Sequence, residues 1–66
     1  MKQILVEEKG RNGNMYRIEY NPCGLGMKYA IRYKRPGEGG YRYDTSWNTM
    51  GEARSYFEML LKGGRR

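Results

Sequence analysis

Histidine is absent from this 66-residue chain and cysteine occurs once, at Cys23. The first absence removes the commonest metal ligand and general base; the second excludes an internal disulfide and any multi-cysteine metal centre. No catalytic group, metal or cofactor is expected, and Cys23, beside a turn glycine with no histidine to activate it, reads as an inert thiol. Long apolar runs are missing as well. Glu7 and Glu8 interrupt Ile4-Leu5-Val6 before a signal-peptide core can form, and no segment approaches membrane-spanning length. The expectation is a soluble, unprocessed, cytoplasmic protein that makes no use of a membrane. Aliphatic residues are few, and a chain this short hides only about 60% of the surface its unfolded form exposes. One thin-cored domain follows, and a second copy of the chain or a partner would add stability.

Charge and aromatic rings are what the chain does have. Lys and Arg number 13 against 7 Asp and Glu, a net charge of +6. Without a strongly amphipathic basic helix, that balance suits a polyanion better than a membrane surface. Three segments alternate with a period of two: Tyr16-Arg17-Ile18-Glu19-Tyr20, Lys28-Tyr29-Ala30-Ile31-Arg32-Tyr33-Lys34 and Tyr41-Arg42-Tyr43-Asp44-Thr45-Ser46-Trp47. This period predicts strands. Strict parity puts Tyr16, Ile18, Tyr20, Tyr29, Ile31, Tyr33, Tyr41, Tyr43 and Trp47 on one face, and Arg17, Lys28, Arg32, Lys34 and Arg42 on the other with only Glu19 and Asp44.

Residues 3–9 predict a leading strand with apolar residues on both sides. Asn12-Gly13 then predicts an antiparallel hairpin, because both residues tolerate positive φ. The second strand, over 14–20, ends at Asn21-Pro22-Cys23-Gly24, where proline removes a backbone donor. Strands over 27–34 and 41–47 flank the glycine-rich loop from Arg35 to Gly40, which lacks a phosphate-cradling motif. Thr49 and Glu52 form a T-x-x-E capping box, so a helix should start at Met50 and run to 62 with Met50, Ala53, Phe57, Leu60 and Leu61 as its buried stripe. Gly63 and Gly64 end it and residues 63–66 form a basic tail. The fold class is α+β, an antiparallel β-β-β-β-α meander with the helix on the aromatic face. Trp47 should pack against the first helical turns. Part of the tyrosine face should stay uncovered, open to a two-fold partner or to base stacking.

Clustered cations in one phase of three adjacent strands point to phosphate recognition through Arg17, Lys28, Arg32, Lys34 and Arg42, with Lys9, Arg11 and Arg35 extending the footprint. DNA is favoured over RNA. Enzymatic readings are weaker. Glu7 and Glu8 point to opposite faces, and Asp44 with Glu19, which could hold a divalent ion, is explained by charge compensation. A nicking role lacks both spacing and a helper base.

From Asn14 to Lys62 the chain resembles the arm-type DNA-binding domain at the N-terminus of tyrosine recombinases of phages and conjugative transposons. The residues that carry the likeness are Tyr29-Ala30-Ile31-Arg32-Tyr33, the Pro36-Gly37 turn, Tyr41-Arg42-Tyr43, and Thr49-Met50-Gly51-Glu52-Ala53 with Tyr56-Phe57. The resemblance implies a sheet inserted in the major groove with Arg17, Arg32, Lys34 and Arg42 facing DNA. An extra leading strand and Trp47, in place of the usual Gly-Phe, depart from that pattern. The element order also resembles the single-strand-binding fold of transcriptional coactivators and Whirly proteins. Small basic proteins of either kind imply a phage or mobile-element setting, and with it an alternative: an inhibitor of a host nucleic-acid enzyme, anti-CRISPR-like, that acts on a protein partner.

Overall fold

The computed structural model describes residues 2–22 and 27–63. The expectations for Cys23, for the end of the loop after the second strand and for Arg65-Arg66 lie outside these residues. Four strands, β1 (Gln3–Lys9), β2 (Met15–Tyr20), β3 (Tyr29–Lys34) and β4 (Arg42–Trp47), form one antiparallel sheet in the order β1-β2-β3-β4. Helix α1 (Met50–Leu61) packs on one face of it. The expected meander is therefore present, with β1 over the expected residues, β2, β3 and β4 starting one or two residues later than expected, and the helix ending one residue earlier.

The turn from β1 to β2 differs from a two-residue hairpin. Gly13 N–H donates to Gly10 C=O at 3.0 Å, and Gly10 N–H donates to Asn14 C=O at 2.7 Å. Gly13 alone has positive φ, at 92°; Asn12 stays on the negative side and uses its side-chain oxygen to accept from Asn14 N–H at 3.0 Å. A turn followed by a left-handed glycine is the longer hairpin solution. Gly10 is buried because the ring of Tyr16 lies where its side chain would be: an added Cβ would meet Tyr16 Cε2 at 2.7 Å. The Tyr16 hydroxyl accepts from Asn12 and Asn14 amides at 3.0 and 3.3 Å, so this fully buried phenol keeps hydrogen-bond partners.

Thr49 caps α1, its Oγ1 accepting from Glu52 N–H at 3.2 Å. Glu52 reaches back to the cap residue, its carboxylate accepting from the Thr49 hydroxyl at 3.1 Å. Gly63, with φ of 77°, closes the other end by donating to Leu60 C=O at 2.9 Å. Arg11 N–H takes the Leu61 carbonyl at 2.8 Å, which ties the first turn to the end of the helix.

Ala53, Phe57 and Leu60 of α1 bury against Tyr16 and Ile18 of β2 and Ile31 of β3. Val6, Tyr29, Tyr33, Trp47, Met50, Tyr56 and Leu61 pack around this centre. Trp47 meets the helix as expected, its ring 5.6 Å from that of Tyr56. Among the described residues, six fully buried side chains make a small core for four strands, in keeping with the scarcity of aliphatic residues.

Cross-strand register sets the two faces. Against the helix lie the rows Glu8-Tyr16-Tyr33-Arg42, Val6-Ile18-Ile31-Thr45 and Gln3-Tyr20-Tyr29-Trp47. On the uncovered side lie Lys9-Met15-Lys34, Glu7-Arg17-Arg32-Tyr43 and Ile4-Glu19-Ala30-Ser46. Strict parity fails in β4. The ladder steps from Ile31 opposite Thr45 to Arg32 opposite Tyr43, leaving Asp44 as an extra residue. One inserted residue exchanges the faces of everything before it. Tyr41 and Tyr43, expected under the helix, stand on the uncovered face, and Arg42, expected among the cations, turns to the helix side beside Tyr33. A second irregularity, at Leu5, puts Ile4 on the open face and Val6 in the core.

Candidate nucleic-acid interface

No element packs on the second face of the sheet among the described residues, and its side chains neutralise one another only in part. At its centre Arg17 and Arg32 stand directly opposite on β2 and β3, an arrangement that repels. Glu19 resolves this. Buried to 4% exposure, its carboxylate accepts from Arg17 Nη2 at 2.7 Å through one oxygen and from Arg32 Nε at 3.0 Å through the other; Lys2 Nζ stands 3.9 Å away. Of the cations expected to reach phosphate, these two are thus already held by a carboxylate.

Tyr41 forms a second tie. Its side chain crosses from the start of β4 to β1, where the hydroxyl donates to Glu7 Oε2. Arg17 lies against the ring at 3.9 Å from the centroid, and Lys34 Nζ is 5.1 Å from the same centroid. Arg17 Nε is buried without an acceptor, as expected for a guanidinium laid on a ring. Burial first, then the hydrogen bond to Glu7, pushes the Tyr41 phenol up to about 12, while Arg17 opposes that rise.

The remaining expected cations separate into three places. Lys9 and Lys34 flank Met15 in the row at one end of the open face. Arg11 belongs to the adjoining turn, and Arg35 follows Lys34. The loops that hold them lie close together, since a Cβ added to Gly13 would come 3.5 Å from Pro36 Cγ. Arg35 itself leans toward Tyr33 on the helix side, 6.0 Å from the ring centroid. Lys28 precedes β3 at the opposite end and is exposed. Arg42 pairs with Glu38 at 3.0 Å on the helix side. The Arg35 backbone amide, then the Arg42 guanidinium, holds Glu38 below the usual carboxylate range, and Arg42 is raised in turn.

The five sheet cations therefore do not form one free patch. Arg17, Arg32 and Lys34 share a face; Arg42 is on the reverse, and Lys28 lies outside the strands. Lys2 was missed, and Tyr41 and Tyr43 were assigned to the wrong face. The two tyrosines depend on the β4 bulge, for which the alternating sequence carries no signal, and Lys2 is identified only by its approach to Glu19. Asp44 and Glu19, paired as a conceivable metal site, are apart: Asp44 Oδ1 accepts from Tyr56 of the helix at 3.4 Å while Glu19 occupies the other face.

Tyr43 is the most exposed large ring on the open face, at 57%. Its hydroxyl is hydrogen-bonded to Ser46 Oγ at 2.8 Å, and Arg32 lies 6.0 Å from its centroid. On the helix side, Trp47, Glu52, Ser55, Tyr56 and Met59 line a shallow groove of about 370 Å³.

Comparison with known protein families, curated proteins and solved structures returns no match. No described helix is long and apolar enough to cross a membrane.

Proposed function

We propose that this chain is a small non-catalytic nucleic-acid-binding or regulatory module that holds a polyanion against the uncovered face of its sheet. The observation that carries the reading is how charge divides between the two sides. Lys2, Lys9, Arg17, Arg32 and Lys34 reach the open face, where Glu7 and Glu19 are the opposing carboxylates. The helix side carries Glu8, Glu38, Asp44, Glu52 and Glu58 against Arg35, Arg42, Arg54 and Lys62, and is close to balanced. A positive excess on the side that no helix covers draws phosphates there first.

Arg17 and Arg32 keep donors beyond those given to Glu19, because a guanidinium carries five N–H groups in a fixed fork. They can contact phosphate without leaving the carboxylate. With Lys9 and Lys34, about four phosphates would be engaged, and log affinity should fall with log salt at a slope of roughly −3. The test is an oligonucleotide titration across salt. Lys34→Ala should flatten the slope by about one unit, while Arg42→Ala, on the reverse side, should leave it unchanged. A flat salt response in the parent protein, or equal damage from the two variants, refutes the reading.

The groove beside Trp47 and Met59 favours a second reading, a protein-binding inhibitor, because an apolar strip with an exposed methionine suits an adaptable protein contact. It predicts that Met59→Asp abolishes capture of one defined protein partner and leaves oligonucleotide binding intact.

A further inference from the structure

Resting on the nucleic-acid reading, we propose that the ligand is an unpaired polynucleotide strand, with phosphates along the Lys9-Lys34 end of the open face and a base stacked on Tyr43. The open face is divided by chemistry along its strands. One end carries Lys9, Met15 and Lys34; the other carries Ile4, Ala30 and Ser46, with Lys2 and Lys28 only at its margin and Glu19 drawn down between Arg17 and Arg32. Rows on one face are two residues apart, about 6.6 Å, so the Tyr43 row lies about 6.6 Å, and the apolar end about 13 Å, from the Lys9-Lys34 row.

A single strand presents the matching pattern, phosphates along one edge and unstacked bases along the other. A duplex offers a protein mainly phosphate and sugar unless an element enters a groove. It would satisfy the cationic row and leave Tyr43 and Ile4, 57% and 52% exposed, facing water.

Tyr43 is built as a platform. Its hydroxyl is hydrogen-bonded to Ser46 three residues along the same strand, and Arg32 stands over the ring at the longer distance of 6.0 Å, against 3.9 Å for Arg17 on Tyr41, so the exposed ring keeps room for a base. The neighbouring floor is low, because Ala30 lies opposite Ser46. Arg32, 6.0 Å from the ring centroid and anchored by Glu19, stands where it can meet the phosphate of a stacked nucleotide. Tyr41 plays a different part: its hydroxyl is tied to Glu7 and Arg17 covers its ring, so it belongs to the floor rather than to the stacking surface.

Fluorescence anisotropy with one sequence, unpaired and as a blunt duplex, in DNA and in RNA, tests this. The unpaired form of at least one sugar type should bind at least tenfold tighter than its duplex. Tyr43→Ala should lose about tenfold in affinity for the unpaired strand, with the salt slope unchanged because no phosphate contact is removed. Tyr43→Phe, which keeps the ring and drops the Ser46 contact, should retain most of the affinity, and the exposed position allows both variants to fold. Equal binding of strand and duplex, with Tyr43→Ala silent, overturns this inference while the salt response still upholds nucleic-acid binding. Failure to bind either form at low salt overturns both.

Discussion

Replacing Glu19 with glutamine tests whether one buried carboxylate lets the central cations coexist. The substitution keeps shape and one acceptor oxygen but removes the charge. Glu19 serves Arg17 and Arg32 through separate oxygens, so the amide keeps one of these bonds and loses the other; with the displaced guanidinium partly hydrated, this should cost about 1–2 kcal/mol. The opposed guanidiniums, with Cβ atoms about 5 Å apart as in any facing cross-strand pair, are then uncompensated. Two unit charges at that separation repel by about 3 kcal/mol at an effective dielectric constant of 20. Because the Arg17 and Arg32 side chains are 22% and 27% exposed, water can screen much of this, and about 1 kcal/mol is a fair share. The expected loss is about 2–3 kcal/mol, a large part of the roughly 3–10 kcal/mol available to a chain of this length. In thermal unfolding followed by circular dichroism, that is a fall of about 10–20 °C. Part of the loss should return in 0.5 M salt, which screens the repulsion, and a second substitution, Arg32→Met, should restore stability. Meanwhile loss of the competing carboxylate should tighten oligonucleotide binding with the salt slope unchanged, because Arg17 and Arg32 are already among the four phosphate contacts. A loss below about 0.5 kcal/mol, or one unaffected by salt and by Arg32→Met, would show that the two arginines swing apart into water and that Glu19 does not hold them.

Spectrophotometric titration should show a tyrosine component with a midpoint near 12 that vanishes in Tyr41→Phe. Because the folded value is raised above the ordinary 10, the contribution of Tyr41 to stability is fully present below pH 10 and is lost as pH climbs from 10 to about 12. Unfolding midpoints of parent and Tyr41→Phe should converge across that window; parallel curves would refute the assignment. Gly10→Ala should destabilise by about 1–3 kcal/mol in urea unfolding, because its methyl would meet the buried Tyr16 ring at 2.7 Å. A neutral result would mean that ring is free to shift.

The alternation of rings and cations carried the strands and their order, and Thr49-x-x-Glu52 with Gly63 marked the helix almost to the residue, because these signals are local. The faces of β4 were not legible. Asp44 obeys the two-residue pattern on paper, and only its pairing with β3 reveals it as extra. The same limit applied to the site. Glu19 read as one minor counter-charge among five cations; that it is the shared partner of Arg17 and Arg32 depends on the β2–β3 register, which brings those two arginines abreast. Tyr41 reaching across to Glu7 joins residues 34 apart in sequence, beyond the range of any spacing rule.

The extra residue in β4 also makes this strand editable in an unusual way. Excising the Asp44 codon would restore simple two-fold alternation upstream, turning Arg42 outward and driving Tyr41 and Tyr43 toward the helix, while Thr45 and Trp47 kept their seats. A single in-frame deletion, with no change of amino-acid type anywhere else, would thus swap a two-ring surface for an arginine and rewrite what the protein offers to its surroundings.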